Sequence, residues 1–110
     1  MPRSDAARLR DIVEAACRIQ NLINHMSRAA FESDDTVQRA VLFDLVIIGE
    51  AAKGIDPTIR ARMLGVRWKA IGGMRDFVIH QYWGIDLEIV WRVAIDELPA
   101  LLAAVNLELD

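Results

Sequence analysis

The sequence predicts an all-α protein, an antiparallel four-helix up-and-down bundle with one additional short helix. Apolar residues recur at helical spacing over long segments, and these segments begin at N-cap residues and end at glycine or proline. No paired runs of alternating apolar residues joined by hairpin turns interrupt them. A length of 110 residues accommodates one hydrophobic core, so residues 1–110 are predicted to form a single domain.

The first two helices follow from periodicity and from the polar segment between them. Ser4 or Asp5 is the expected N-cap of the first helix. The second helix is predicted over Val37–Lys53, with Gly54 as its C-cap, although its β-branched residues leave a strand as the competing interpretation. Polar residues 32–36 supply N-cap candidates between the two helices. The apolar positions of the first helix are Leu9, Ile12, Val13, Ala16, Ile19, Ile23 and Met26.

Capping residues and helix breakers delimit the second half of the chain. Asp56-Pro57 predicts a short helix that ends at Gly65, and a third long helix follows over residues 68–83. Gly72-Gly73 is a weak point within that third helix. Asp86 is the predicted cap of the fourth helix, in which Pro99 must cause a break or a kink because it lacks an N–H donor.

Composition limits the function classes. The hydrophobic fraction of 54% is high for a small domain, which predicts surplus apolar surface and therefore a homodimer or a hetero-complex. The net charge of −3 gives no global nucleic-acid signature, although residues 57–75 contain five basic residues and no acid. This segment is either a solvent-exposed helix face or a binding site for one phosphate. The polar N-terminus and the lack of an apolar span predict a cytoplasmic protein without a membrane segment.

The candidate catalytic residues are concentrated near the end of the third predicted helix. Asp76 and His80 are one turn apart, so the carboxylate is expected to accept from one imidazole nitrogen and fix the tautomer. Arg75 and His80 differ by about 140° around an ideal helix. One helix therefore cannot easily direct both at the same atom, whereas two copies packed across a two-fold axis can share one cleft.

Structural alternatives exist for each of these residues. Arg75 and Asp76 can form a surface ion pair, His80 can be a core histidine, and Tyr82 with Trp83 can be an aromatic plug at the end of the bundle. The full R-x4-H-x-Y spacing is nevertheless expected only about 0.002 times by chance in this composition, so it is informative as a motif.

The string Gly73-Met74-Arg75-Asp76-Phe77-Val78-Ile79-His80-Gln81-Tyr82 resembles the R-x4-H-x-Y signature of HepT-like toxins in the HEPN superfamily. The resemblance extends to segments 47–52, 68–73, 84–86 and 89–91, and so covers nearly the whole chain. It implies a HEPN-like bundle and a metal-independent endoribonuclease without a cofactor. Arg75 would hold the scissile phosphate, and His80 would act as general base or acid, giving a 2′,3′-cyclic phosphate product.

The resemblance also implies partners. RNA would be the substrate, and a cognate minimal nucleotidyltransferase would be the antitoxin of a toxin–antitoxin pair. That antitoxin would transfer AMP onto Tyr82, adding bulk and negative charge two residues from His80. The alternative is a non-catalytic helical module that binds or regulates a nucleotidyltransferase.

Other polar and aromatic residues are weaker candidates for a catalytic role. Glu50 is expected to be a buried acid that bonds across the bundle, with orientation of Arg75 as the alternative. His25 is expected to be a surface or cap residue. The three tryptophans are expected to be core or dimer-interface aromatics, and no cluster suited to a metal ion is apparent.

Overall fold

The computed structural model describes residues 3–110, and within this range the chain is all-α without a strand. This confirms the predicted fold class and rules out the strand interpretation of the second long segment. The helices are α1 (Asp5–Ile23), α2 (Arg28–Glu32), α3 (Asp35–Gly54), α4 (Pro57–Arg62), α5 (Trp68–Gly72), α6 (Met74–Gln81), α7 (Leu87–Arg92), a π-helical turn (Val93–Glu97) and α8 (Leu98–Leu109).

The helix N-termini are largely capped by the side chains that the sequence indicates. The Ser4 hydroxyl accepts from the Ala7 N–H at 3.1 Å, and Asp34 accepts from Val37 at 3.0 Å. Asp56 and Asp86 cap α4 and α7 in the same way. Because each cap satisfies a backbone donor that the first helical turn leaves open, these residues fix where the helices begin.

Helix α3 is the central element of the bundle, and it runs antiparallel to α1 on one side and to α5–α6 on the other. Arg18 in the second half of α1 pairs with Asp44 in the middle of α3, while Arg8 in the first turn of α1 lies against Gly54 at the end of α3. The core lies between these helices and α8. Its fully buried side chains include Ile12, Ile19, Phe31, Val41, Leu45, Ile48, Ile71, Val90, Leu98, Leu101 and Val105.

Three local features refine the predicted elements. Helix α2 was not predicted, and it buries Phe31 against Trp91 with ring centroids 5.4 Å apart. The third long helix divides at Gly73 into α5 and α6 and ends at Gln81, which confirms Gly72-Gly73 as a weak point. The expected interruption near Pro99 is a π-helical turn, in which the Leu98 N–H reaches the carbonyl of Val93 five residues earlier.

Candidate active site

The candidate site is built where α6 crosses α3 at Gly49. A Cβ atom on Gly49 would lie 2.6 Å from the backbone nitrogen of Arg75 and 3.0 Å from its Cβ. No side chain larger than hydrogen fits between the helices at this point, so the two backbones are in direct contact. The crossing therefore fixes the position of the motif arginine relative to α3.

Four charged side chains of alternating sign surround this crossing. The Arg75 Nε lies 3.0 Å from Glu50 Oε2, and its Nη1 donates to Asp76 Oδ1 at 3.2 Å. The other Asp76 oxygen accepts from Lys53 Nζ at 2.6 Å. Glu50 and Lys53 are one turn apart on α3, so both reach the same end of α6. We call Glu50, Lys53, Arg75 and Asp76 the charge cluster.

The electrostatics of the charge cluster favour the ionised form of Asp76. The hydrogen bond from Lys53 lowers the pKa of the Asp76 carboxyl below its ordinary value, and the hydrogen bond from Arg75 lowers it further. All four side chains are substantially exposed, Glu50 to 66%. Ion pairs this exposed contribute little to folding, because water screens them, so stability alone does not account for the arrangement.

The charge cluster leaves part of the arginine available. Nη2 of Arg75 makes no hydrogen bond within residues 3–110, while Nε and Nη1 face Glu50 and Asp76. The guanidinium is thus oriented by two carboxylates and retains donors for an oxyanion. A phosphate could bind the remaining donors in the forked geometry that guanidinium groups favour.

His80 lies five residues further along α6, exposed to solvent. Its imidazole makes no hydrogen bond to another part of the described chain, so the core-histidine interpretation is wrong. The expected bond, donated by the His80 imidazole to the Asp76 carboxylate, is also absent from residues 3–110; the two Asp76 oxygens accept from Lys53 and Arg75 instead. Asp76 thus contacts the motif arginine rather than the motif histidine.

Tyr82 and Trp83 follow the last residue of α6 and are 78% and 76% exposed. Side chains this exposed do not plug the end of the bundle; they lie in a turn that the Gly84 N–H closes by donating to the Gln81 carbonyl at 2.9 Å. The Tyr82 ring instead borders a groove with the first turns of α3, including Arg39 and Leu42.

Sequence reasoning missed Lys53 and misjudged the environment of Glu50. Glu50 was expected to be buried, but it is exposed and faces Arg75, as the alternative interpretation required. Lys53 was assigned only to the end of a helix, and its side chain is a member of the charge cluster. The signal in the sequence was the i, i+3 spacing of Glu50 and Lys53 beside Gly49, a small residue in an otherwise bulky apolar helix.

Three of the five basic residues in segment 57–75 pair with acids, Arg75 within the charge cluster and two others outside it. Arg62 contacts Glu108, and Arg67 donates to Glu97 at 2.8 Å. These contacts favour the solvated-face interpretation for α4 and the loop after it. Within residues 3–110, no group of three or more His, Cys, Asp or Glu side chains is arranged to hold a metal ion. No helix in that range is long and apolar enough to cross a membrane.

The fold and site define a class: small helical bundles that present an arginine, a histidine and a tyrosine along one exposed helix. Comparison with protein families gives the assignment, since the pattern of the family described as "Ribonuclease HepT-like" matches residues 12–107. The chain belongs to this HepT-like family of HEPN proteins.

Curated relatives agree with the family assignment. "Putative RNase MJ0127" and "Putative RNase MJ1216" of Methanocaldococcus jannaschii are 37% and 38% identical to the chain, over 90% and 92% of its length and 83% and 84% of theirs. "Probable ribonuclease HepT" of Thermococcus cleftensis is 34% identical, with 92% of each chain covered. No solved structure matches the chain.

Proposed function

We propose that this chain is a metal-independent endoribonuclease, the toxin of a HEPN/nucleotidyltransferase toxin–antitoxin pair, and that it acts as a homodimer. The main supporting observation is that Arg75 is fixed at the Gly49 crossing, while His80 on α6 and Tyr82 directly after α6 are both exposed. Membership in the HepT-like family and the names of the curated relatives support ribonuclease activity and an RNA substrate.

The proposed reaction is an internal transesterification of RNA. The ribose 2′-oxygen attacks the adjacent phosphorus, a bond from the 2′-oxygen to phosphorus forms, and the bond to the 5′-oxygen breaks. His80 accepts the 2′-hydroxyl proton or supplies a proton to the leaving 5′-oxygen. Arg75 binds the phosphate and stabilises the charge that develops on its oxygens. The products are a 2′,3′-cyclic phosphate and a 5′-hydroxyl.

Asp76 has a supporting role that differs from the one expected. Its contacts with Arg75 and Lys53 make it a positioning residue for the arginine, because it holds Nη1 while Lys53 compensates its charge. Glu50 holds Nε in the same way. In this proposal, incoming RNA competes with these carboxylates for the guanidinium, so binding and ion-pair exchange are coupled.

A homodimer is proposed because no hydrogen bond joins Arg75 and His80 in residues 3–110, and their positions differ by about 140° around an ideal helix. Arg75 is directed toward α3, whereas His80 is directed to solvent. Large apolar side chains are exposed at Ile79 on α6, at Trp83 and at Phe43 on α3. Phe43 is next to Leu42, which lines a groove together with Trp83. Covering this surface with a second copy would bury apolar area and bring the two α6 helices together.

Regulation is proposed to act through Tyr82. Its oxygen would attack the α-phosphorus of ATP, forming a phosphodiester and releasing pyrophosphate, with the antitoxin as catalyst. The side chain is 78% exposed, so it can enter a second enzyme's active site without unfolding of α6. The added adenylyl group brings bulk and negative charge close to the place where an RNA phosphate would bind.

The test is an RNA cleavage assay with purified protein in the presence of EDTA. Wild type should cut RNA and leave 2′,3′-cyclic ends, whereas Arg75→Ala and His80→Ala should not. Cleavage that persists in both variants would remove the proposed site. No cleavage of any RNA by unmodified protein would favour the non-catalytic module that binds a nucleotidyltransferase. Intact mass after incubation with the cognate nucleotidyltransferase and ATP tests Tyr82, since the AMP adduct should disappear in Tyr82→Phe.

A further inference from the structure

A groove of about 610 Å³ lies between the beginning of α1 and the second half of α3. Its size is within the range of about 300–1,000 Å³ that small-molecule sites occupy. Apolar side chains of Val46, Ile47 and Ala51 contribute to its lining, and Glu50 and Lys53 of the charge cluster line one side. Since Glu50 also contacts Arg75, the groove begins one side chain away from the motif arginine.

The opposite side of the groove carries two arginines, Arg3 and Arg8. Arg3 is neutralised, because its Nε and Nη2 each donate to Asp11 at 2.8 Å. Arg8 differs. Its only ion pair within residues 3–110 is with Asp5 at 3.8 Å, and its guanidinium makes no hydrogen bond there. Asp5 itself also accepts from the backbone N–H of Asp56 at 3.2 Å.

The Arg8 side chain is only 25% exposed, although its donors are unused. It is held in place by Gly54, since a Cβ atom on Gly54 would lie 2.3 Å from Arg8 Nε. A restrained guanidinium with unused donors at the edge of a groove is suited to a singly charged phosphodiester. The apolar lining suits the ribose or the face of a base.

We propose that this groove binds the nucleotide next to the scissile one in single-stranded RNA, with Arg8 on the flanking phosphate. This inference rests on the proposed ribonuclease function and assigns to Arg8 a positioning role outside the R-x4-H-x-Y motif. The charge cluster then separates two phosphate positions, one at Arg75 and one at Arg8.

The experiment measures binding of uncleavable 2′-O-methyl oligouridines of two and six nucleotides. The dinucleotide has one phosphodiester, so it occupies the Arg75 position alone, whereas the hexanucleotide reaches both positions. Arg8→Ala should weaken hexanucleotide binding about fivefold and leave dinucleotide binding unchanged. The slope of log K against log salt for the hexanucleotide should fall by about 0.7, the value for one phosphate contact on a single strand.

The chain provides a matched control and a second variant. Arg10 is an exposed arginine on the same helix that does not line the groove, so Arg10→Ala should change neither affinity nor slope. Gly54→Ala retains every charge but displaces the Arg8 side chain, so it should weaken hexanucleotide binding as Arg8→Ala does. Thermal unfolding of each variant checks that the fold is intact.

The outcomes separate this inference from the proposed function. Equal effects of Arg8→Ala and Arg10→Ala would show diffuse attraction and overturn the groove assignment. If Arg75→Ala weakens both oligonucleotides but Arg8→Ala weakens neither, the groove inference fails and the ribonuclease site stands. If wild type binds neither oligonucleotide, or Arg75→Ala has no effect, the proposed function fails, and the groove inference fails with it.

Discussion

The backbone nitrogen of Arg75 lies against the Cα of Gly49, so closely that a Cβ atom on Gly49 would be 2.6 Å away. This contact links the motif helix to the centre of the bundle. It places the first turn of α6 beside Glu50 and Lys53, and so determines which charges surround the arginine. The geometry of the proposed site thus depends on a residue that has no side chain.

Gly49→Ala should destabilise the protein and reduce cleavage. Helix propensity alone favours alanine by about 1 kcal/mol, but the new methyl group must push two backbones apart, which costs about 1–3 kcal/mol. Urea unfolding and RNA cleavage measure the two effects. Gly84→Ala is the matched control, since a Cβ atom there meets nothing within 4 Å. A Gly49→Ala variant as stable and active as the Gly84→Ala variant would contradict the role of the crossing.

His80→Ala should remove activity and leave stability nearly unchanged. The imidazole is exposed and without partners in residues 3–110, so its loss should alter the free energy of unfolding by less than about 0.5 kcal/mol. Loss of a general acid or base should lower kcat by about 10²–10⁴-fold. His25, the other exposed histidine, provides the control, because His25→Ala should retain full activity. A large stability loss in His80→Ala would indicate a structural role instead.

Asp76→Asn should destabilise the protein at neutral pH and have less effect in acid. Lys53, and then Arg75, lower the pKa of folded Asp76 below its ordinary value of 3.8. The carboxylate therefore stabilises the fold above that value, and the contribution disappears as pH falls through the lowered folded pKa. Urea unfolding of wild type and variant between pH 7 and pH 3 measures the difference. If the difference in free energy of unfolding between wild type and Asp76→Asn is constant over this range, the ion pairs are contradicted. When Lys53→Met is present in both proteins, this difference should be smaller at neutral pH.

Phe43→Glu should dissociate the proposed dimer. Phe43 is 67% exposed on α3, next to Leu42, which lines a groove with Tyr82 and Trp83. A charge introduced there would have to be buried in the interface. Light scattering after size exclusion gives the mass of each species. Leu107→Glu changes a leucine on α8 that is even more exposed, at 77%, and should leave the dimer intact. Dissociation by the α8 variant alone would place the interface elsewhere.

The fold was predictable because its determinants are local. Ser4, Asp34, Asp56 and Asp86 mark helix starts by their own hydrogen bonds, and the periodicity of the long helices spans several turns. Helix α2 escaped prediction because five residues are too few to display a period. The sequence predicts an interruption of the last helix near Pro99. It does not predict that this interruption is a π-helical turn, through which the chain remains helical.

The site was only partly predictable, because its partners are distant in sequence. The motif identifies Arg75, His80 and Tyr82, yet Lys53 is 23 residues from Asp76 and meets it only through the packing of α3 on α6. Helical spacing suggested that Asp76 faces His80. In the structure, Lys53 and Arg75 bind the Asp76 carboxylate instead of His80, and each donates to one of its two oxygens.

The central claim is that Arg75 and His80 of different copies complete one ribonuclease site, and mixing two inactive variants tests it most directly. Arg75→Ala and His80→Ala should each be inactive alone. When they are unfolded together, refolded and assayed on RNA, half of the dimers are mixed and each contains one intact pair, so about a quarter of wild-type activity should return. No recovered activity, in mixtures shown by mass spectrometry to contain mixed dimers, would contradict a site shared between chains.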